Sequence, residues 1–180
     1  LPLAPGLTLP ASADGKAFVR VNVAAKPAVA PQQPVARNGL EITRSWERVL
    51  ADGTREPLDK PAPGDLILVS LRVTLPGDDS RYLVVEDYLP AIFETVDQRF
   101  GSQAAAGAAV QQAWSISHQE LRDDRAVFFL DWMPSSGTYT VQYLARCTLA
   151  GEATAPPAKV ESMYDPENFA LSASRRITTK

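Results

Sequence analysis

Apolar and polar residues alternate along most of this chain, and short turn motifs separate the alternating runs. Successive side chains of a strand point to opposite faces of a sheet, so such runs predict half-buried strands. About seven to nine short strands with turns between them favour an all-β, antiparallel β-sandwich without a helix of ordinary length. The clearest run places five residues on one face, namely Ile67, Val69, Leu71, Val73 and Leu75.

Turn motifs predict how the strands are connected. The sequence Pro76-Gly77-Asp78-Asp79 predicts a tight turn, so we expect residues 81–89 to return as the hairpin partner of the strand that ends at Leu75. A second hairpin is predicted from residues 114–121 and 126–132, with Asp123 and Asp124 at its tip. Further strands are predicted at residues 138–149, 159–164 and 169–174.

Two segments interrupt the strand pattern. Residues 16–24 alternate like a strand, and the Ala-, Pro- and Gln-rich stretch that follows, up to Pro34, predicts an extended linker. We therefore place a domain boundary between residues 1–35 and 36–180. Residues 91–112 are expected to leave the sheet, and because they are rich in small residues with no apolar stripe, they predict a mobile loop.

Composition excludes several classes of function. The net charge of −3, with acids and bases interspersed, argues against a nucleic-acid partner. No apolar run approaches eighteen residues, so no membrane contact is expected. The first ten residues have no charged n-region and contain three prolines, so we expect a piece of a longer chain rather than a signal peptide. The chain has only one Cys and one His, so we expect neither a catalytic set nor a metal-ligand set built on these residues. For the same reason no cofactor is expected.

Individual polar candidates have structural explanations. Cys147 shares the parity of Tyr143 and Leu149, which predicts a buried, inert thiol. His118 and Glu120 lie on one face of a strand, as any residues two apart do, and no Ser or Cys motif accompanies them. The acidic pairs lack calcium-loop spacing and are expected to serve turns; they are Asp78-Asp79, Glu86-Asp87 and Asp123-Asp124.

The aromatic residues leave more alternatives open. Three tryptophans, Trp46, Trp114 and Trp132, are expected in the core, with a sugar-stacking platform as the alternative. Tyr139 and Tyr143 follow a Gly turn, where a tyrosine often bonds back to the backbone. Met163 and Tyr164 end a strand before Asp-Pro, so parity predicts one side chain inward and the other outward. The residues alone favour core packing, with an interface contact as the alternative, because both residue types suit interfaces.

Several motifs occur in an order that resembles the C-terminal region of bacterial alpha-2-macroglobulins. They are GLEITRSWERV, DLILVSLRVTLP, YLVVEDYLPAIFE, the R-D-D-R hairpin, G-T-Y-T-V-Q-Y-L-A-R and PPAKVESMYDPENF. The resemblance covers residues 36–176. It departs from the family pattern at Ile92, where the family has Gly after Pro-Ala, so we expect a different turn there.

The resemblance implies a macroglobulin-like, fibronectin-III-like sandwich at residues 36–180, preceded by the last strand of a CUB-like domain and a linker at residues 1–35. It implies a parent protein that inhibits endopeptidases broadly, trapping them through a thioester in a C-x-E-Q motif. This chain lacks that motif, and Cys147 stands in A-R-C-T instead. The domain is expected to be non-catalytic and to pack on the thioester domain, shielding it from water through Met163 and Tyr164.

The same resemblance implies that the partners are the thioester and CUB-like domains of the parent chain, with target proteases reached through the parent. It implies bacterial defence in the periplasm or cell envelope, with a lipid anchor outside this segment as one option. Two alternatives remain at this stage. One is an unrelated adhesin or carbohydrate-binding sandwich that uses Trp114 or Trp132. The other is an enzyme with a site on residues 91–112.

Overall fold

The computed structural model describes residues 31–77, 80–97, 116–133 and 135–180, which belong to one compact unit, Pro31–Lys180. These residues form strands and connecting turns, with no helix among them. The strands are β1 Glu41–Val49, β2 Arg55–Pro57, β3 Leu66–Leu75, β4 Ser80–Tyr88, β5 Phe93–Val96, β6 Ile116–Arg122, β7 Arg125–Met133, β8 Gly137–Cys147, β9 Glu152–Ala155, β10 Lys159–Ser162, β11 Asp165–Leu171 and β12 Arg175–Thr178.

The strands form two five-stranded antiparallel sheets and one two-stranded ribbon. The first sheet has the order β2-β1-β3-β8-β5, the second β11-β10-β4-β7-β6, and the ribbon pairs β12 with β9. One apolar cluster with residues from both large sheets forms the core, which is the arrangement of a β-sandwich. The predicted all-β sandwich is therefore confirmed. The described residues form more strands than the seven to nine predicted. Several strands, such as β2 and β5, have only three or four residues, which is too short to show an alternation in the sequence.

The central strand β3 shows why the alternation was readable. Ile67, Val69 and Leu71 are fully buried in the main core, as their shared parity predicts, and so are the next two residues of that parity. The opposite face is also apolar at one end, where Leu68 and Leu144 are fully buried in a second cluster. The first sheet thus buries apolar side chains on both faces.

The predicted hairpin of β3 with β4 is wrong. The two strands follow one another in the sequence, but β3 pairs with β1 and β8 in the first sheet, whereas β4 pairs with β7 and β10 in the second. The chain crosses from one sheet to the other after Leu75. Turn residues such as Pro76 and Gly77 reverse a chain equally well within a sheet or between sheets, so the motif does not distinguish the two connections.

The predicted departure from the sheet at residue 91 is also wrong for the residues that the structure describes. Phe93–Val96 forms β5, which pairs with β8 at the edge of the first sheet. Ile92 is buried, its carbonyl accepts a hydrogen bond from Thr148 N at 2.9 Å, and its φ is negative. Position 92 therefore does not require a glycine, because the backbone there does not adopt a left-handed conformation.

The second predicted hairpin is confirmed: β6 and β7 pair through the tip at Asp123 and Asp124. The predicted strand at residues 16–24, the loop at residues 98–112, and residues Asp78, Asp79 and Trp114 lie outside the described residues. At the start of the described chain, Val35 exchanges two backbone hydrogen bonds with Leu171, at 2.9 and 2.8 Å. The segment before the first sheet is thereby attached to the end of β11.

A buried ion pair joins the two sheets. Arg44 of β1 pairs with Asp87 of β4 through Nη1 and Oδ1, and their side chains are 2% and 0% exposed. The hydroxyl of Tyr143, on β8 of the first sheet, donates to Asp87 Oδ2 at 2.7 Å. Arg44 Nη2 donates to the carbonyl of Pro156 at 2.6 Å. Both carboxylate oxygens are therefore satisfied by donors from the opposite sheet.

This ion pair was not predicted from the sequence, and the expectation that Asp87 serves a turn is wrong. Asp87 has the parity of Leu83 and Val85, so it faces the core from the middle of a sandwich. Burial raises the pKa of Asp87, while the charge of Arg44 and the hydrogen bonds from Tyr143 and Arg44 act to lower it. Burial and the Asp87 charge both raise the pKa of Tyr143 well above its usual value, so its hydroxyl stays a donor.

We expect Asp87→Ala to destabilise the domain by about 3–5 kcal/mol, because it leaves the Arg44 guanidinium buried without its carboxylate. Urea unfolding followed by circular dichroism measures the loss as a lower midpoint at unchanged m-value. The matched control is Glu86→Ala on the neighbouring residue, whose carboxylate lies 3.4 Å from Arg125 and is part-exposed. This control should cost less than about 1 kcal/mol. Equal losses in the two variants would contradict a special role for the buried pair.

Candidate interaction surface

Met163 and Tyr164 both point to solvent. They form the turn between β10 and β11, and they are 48% and 78% exposed. The expectation that one of them points inward is wrong because β10 ends at Ser162, with a register irregularity at Glu161/Ser162. Strand alternation therefore stops before the pair. The two side chains that the sequence analysis selected are thus available for contact.

The turn is held against β4 at Tyr82. Met163 N donates to the carbonyl of Tyr82 at 2.9 Å. The rings of Tyr82 and Tyr164 meet edge to face, with centroids 5.2 Å apart and planes at 85°, a preferred aromatic geometry. Tyr82 has a positive φ of 54°, which is uncommon for a residue with a bulky side chain. Backbone and ring contacts together give the exposed Tyr164 a defined position.

A third strand contributes Trp132 to the same end of the second sheet. The register of β4 with β7 pairs Arg81, which precedes Tyr82, with Trp132, which is 51% exposed. We call the four exposed side chains on β4, on β7 and in the turn between β10 and β11 the aromatic rim; they are Tyr82, Trp132, Met163 and Tyr164. Another exposed aromatic residue, Tyr88, lies at the opposite end of β4, about 20 Å away at the usual rise per residue.

The composition of the aromatic rim is that of an interface rather than of a reaction centre. Aromatic residues and methionine are enriched in protein interfaces, and rigid aromatic side chains lose little entropy on binding. No group of three or more His, Cys, Asp or Glu able to hold a metal occurs in the described residues. The rim offers apolar area and two phenolic hydroxyls, and this suits packing against another protein surface.

Cys147 and His118 lie where the sequence analysis predicted. Cys147 is buried at the end of β8, and its thiol lies 3.5 Å from the carbonyl of Leu149. Burial is the main cause that raises the pKa of this thiol, which keeps it protonated and unreactive. His118 has a 65% exposed side chain, 3.8 Å from Glu120, which in turn pairs with Arg122 at 2.8 Å. Both predictions of a structural or surface role are confirmed.

Trp46 and Trp132 do not form a shared stacking platform. Trp46 is buried in the core from β1 of the first sheet, whereas Trp132 is exposed on β7 of the second. A sugar-binding surface made of these two rings is therefore excluded. The prediction that a tyrosine after the Gly turn bonds back to the backbone is confirmed for Tyr139, whose hydroxyl donates to the Ser135 carbonyl at 2.8 Å.

Tyr82 was not considered as a surface residue, and the prediction that Trp132 lies in the core is wrong. Both occupy strands whose alternation is interrupted near the sheet end: Leu130 and Met133 are buried, although they differ in parity, and Trp132 between them is exposed. The sequence indicates such an interruption only weakly, because an apolar residue within an apolar strand is predicted to lie in the core whichever face it occupies.

In the described part of the chain, no helix is long and apolar enough to cross a membrane.

A family model and two curated relatives all relate this chain to bacterial alpha-2-macroglobulins. The model of a protein family described as the bacterial alpha-2-macroglobulin MG10 domain matches residues 39–167. An alpha-2-macroglobulin homolog of Nostoc sp. is 32% identical over 155 residues, which cover 81% of this chain and 8% of that protein. The alpha-2-macroglobulin of Pasteurella multocida is 30% identical over 148 residues, covering 82% of this chain and 7% of that protein.

Solved structures agree with the sequence relatives. The trypsin-activated alpha-2-macroglobulin of Escherichia coli superposes with a TM-score of 0.70 at 32% identity, covering 83% of this chain and 11% of that one. A native alpha-2-macroglobulin fragment from the same organism, spanning domain MG7 to the C-terminus, gives a TM-score of 0.66. The chain thus spans less than a tenth of the length of the curated relatives that it matches.

We expect the Cys147 thiol to resist labelling in the folded protein, because it is buried and its pKa is raised. Reaction with 5,5′-dithiobis(2-nitrobenzoate) at pH 8 should be slower by about 100-fold or more than in guanidinium chloride, since it requires opening of the structure. A Cys147→Ser variant gives the background. Rapid labelling of the native protein would show that the end of β8 is open to solvent.

Removing the exposed rim side chains should hardly change stability. Tyr164→Ala and Met163→Ala are expected to shift the free energy of unfolding by less than about 1 kcal/mol, because Tyr164 is mostly exposed and Met163 is about half exposed. Val160→Ala, three residues away and fully buried, should cost about 1–3 kcal/mol. Urea midpoints of the three variants measure the difference. A loss at Tyr164 as large as that at Val160 would assign Tyr164 to the core.

Proposed function

Because this chain belongs to the bacterial alpha-2-macroglobulin MG10 domain family, we propose that it is a non-catalytic, C-terminal domain of a longer protein that traps proteases through a thioester. The observation that carries the proposal is the exposed aromatic rim on a domain of this family. The thioester belongs to another part of the parent, since the sequence has no C-x-E-Q motif and its single Cys is buried in the sandwich.

The proposed task is to keep water away from the thioester until a protease has acted on the parent. A thioester is lost by hydrolysis, so a dry, apolar cover extends its lifetime. Tyr164, at 78% exposure, and Met163 beside it have the size and the accessibility for such a cover. The edge-to-face contact with Tyr82 holds Tyr164 in place before the partner domain arrives, which reduces the entropy lost on packing.

The proposed partners lie in the same parent chain. They are the thioester domain, which would face the aromatic rim, and the CUB-like domain, whose last strand we place within residues 1–35. Target proteases are reached through the parent and not by this domain itself, and no nucleic-acid partner is proposed. We place the parent in the periplasm or cell envelope of a bacterium, where it would inhibit a broad range of endopeptidases in defence.

The test is the lifetime of the thioester in the full-length parent carrying Met163→Ala and Tyr164→Ala together. The double variant should release the thioester cysteine by hydrolysis about 10- to 100-fold faster, because removing both side chains together is expected to lower the barrier to hydrolysis by about 1.4–2.7 kcal/mol. Free thiol appearing over time, before any protease is added, measures the rate by labelling and mass spectrometry.

Leu149→Ala serves as the control, since Leu149 is also exposed, at 58%, but follows β8 in the first sheet. Its thioester should last as long as that of the unchanged parent. An unchanged lifetime in the double variant would overturn the shielding role of Met163 and Tyr164. Faster hydrolysis in the double variant and in Leu149→Ala alike would point to a general loosening of the parent rather than to a local cover.

A further inference from the structure

A cavity of about 300 Å³ lies beside β1, away from the aromatic rim. Its lining includes Ile42, Arg44 and Trp46 of β1 on one side and Ser172, Ser174 and Arg175 on the other. Pro34 completes the lining from the segment attached to β11. The Gln32 carbonyl accepts from Ser174 N at 3.0 Å, so this segment is held next to the cavity. The cavity is thus formed by parts of the chain that are far apart in sequence.

Two buried nitrogen donors of the lining residues have no hydrogen-bond partner. They are Arg44 Nε and Trp46 Nε1, in side chains that are otherwise well placed in the core. The other nitrogens of Arg44 are used, because Nη1 pairs with Asp87 and Nη2 donates to the Pro156 carbonyl. A buried donor without an acceptor is costly, because the hydrogen bond it made to water in the unfolded chain is not replaced. Two such donors beside one cavity indicate that an acceptor group belongs there.

The cavity also has unbalanced positive charge. The Cζ atoms of Arg44 and Arg175 lie 4.5 and 5.4 Å from the centre of the Trp46 ring. Asp87 offsets the charge of Arg44, but no carboxylate of the described residues lies within ion-pair distance of Arg175. None of the lining residues is Asp or Glu. Arg175 is exposed and its Nη2 donates to the Leu58 carbonyl at 3.4 Å, so this lining residue has a backbone acceptor but no carboxylate partner among the described residues.

We propose that this cavity binds a carboxylate group. A carboxylate has two planar acceptor oxygens, which match the fork of an Arg guanidinium and leave a lone pair for the indole N–H. A water molecule alone would satisfy the donors but would leave Arg175 without a counter-ion. Because Arg44 Nε and Trp46 Nε1 are enclosed in the unliganded packing, the exposed Arg175 side chain must move off the Trp46 ring to admit the ligand.

The test follows the indole N–H signals of the 180-residue chain in ¹H–¹⁵N correlation spectra. The Trp46 signal is the one that remains in the Trp114→Phe/Trp132→Phe double variant, which avoids changing the buried ring. Titration with sodium acetate should shift this signal saturably, with a Kd of about 1 mM, which is within reach of a ligand of this size. Sodium chloride at equal ionic strength should not reproduce the shift.

Arg175→Gln should weaken acetate binding by about 10-fold or more, because a charge-assisted pair is lost. The matched control is Arg176→Gln on the next residue, whose guanidinium pairs with Glu152 outside the cavity. Its Kd should be unchanged. A linear shift without saturation, an equal shift in chloride, or an unaltered Kd in Arg175→Gln would each overturn the proposal and leave the cavity to water.

The carboxylate can come from a protein segment or from a free small molecule, and a second titration distinguishes these sources. The probes are a blocked Gly-Asp-Gly peptide and a blocked Gly-Asn-Gly peptide. Tighter binding of the Asp peptide than of acetate, with no binding of the Asn peptide, supports an acidic protein segment. Binding of acetate but not of the Asp peptide supports a free carboxylate. The result is independent of the thioester assay, because it uses only this chain.

Discussion

The Arg44–Asp87 pair is the interaction on which the rest of the sandwich depends. Burying two charges costs several kcal/mol each, and the cost is offset only when the two ions meet with good geometry and their other hydrogen-bonding atoms are satisfied. Asp87 meets this condition because Arg44 and Tyr143 reach it from the opposite sheet. An ion pair of this kind tolerates little sliding between sheets, so it sets the position of β4 relative to β1 and β8.

Strands β4 and β1, which carry Asp87 and Arg44, also carry residues of the aromatic rim and of the cavity, respectively. Strand β4 carries Asp87 in the core and, five residues earlier, Tyr82 at the aromatic rim, so the ion pair and the rim are parts of one rigid element. Strand β1 carries Arg44, which stacks on Trp46, lines the cavity and has a buried Nε without a hydrogen-bond partner. A sandwich can therefore present two separate surfaces whose side chains are positioned by one buried contact.

The sequence predicted the elements much better than their arrangement. The alternation in β3 and β8 identified their core faces, because a strand in contact with one core has a period of two. The pairing of β3 with β4 was wrong because turn residues encode a reversal and not the choice of sheet. Asp87 was missed although its parity placed it inward, since an acidic residue on an apolar face becomes intelligible only when its partner is known. Arg44, its partner, is far away in the sequence.

By itself the sequence determined the all-β class, the core faces of the long strands, the inert Cys147 and, through ordered motifs, the family. These properties follow from local periodicity and from residue identity. Only the tertiary structure decided which sheet each strand joins, that Met163 and Tyr164 both face solvent, and that Arg44, Asp87 and Tyr143 meet. Those outcomes depend on contacts between residues distant in the chain, where packing and desolvation, rather than local pattern, select the arrangement.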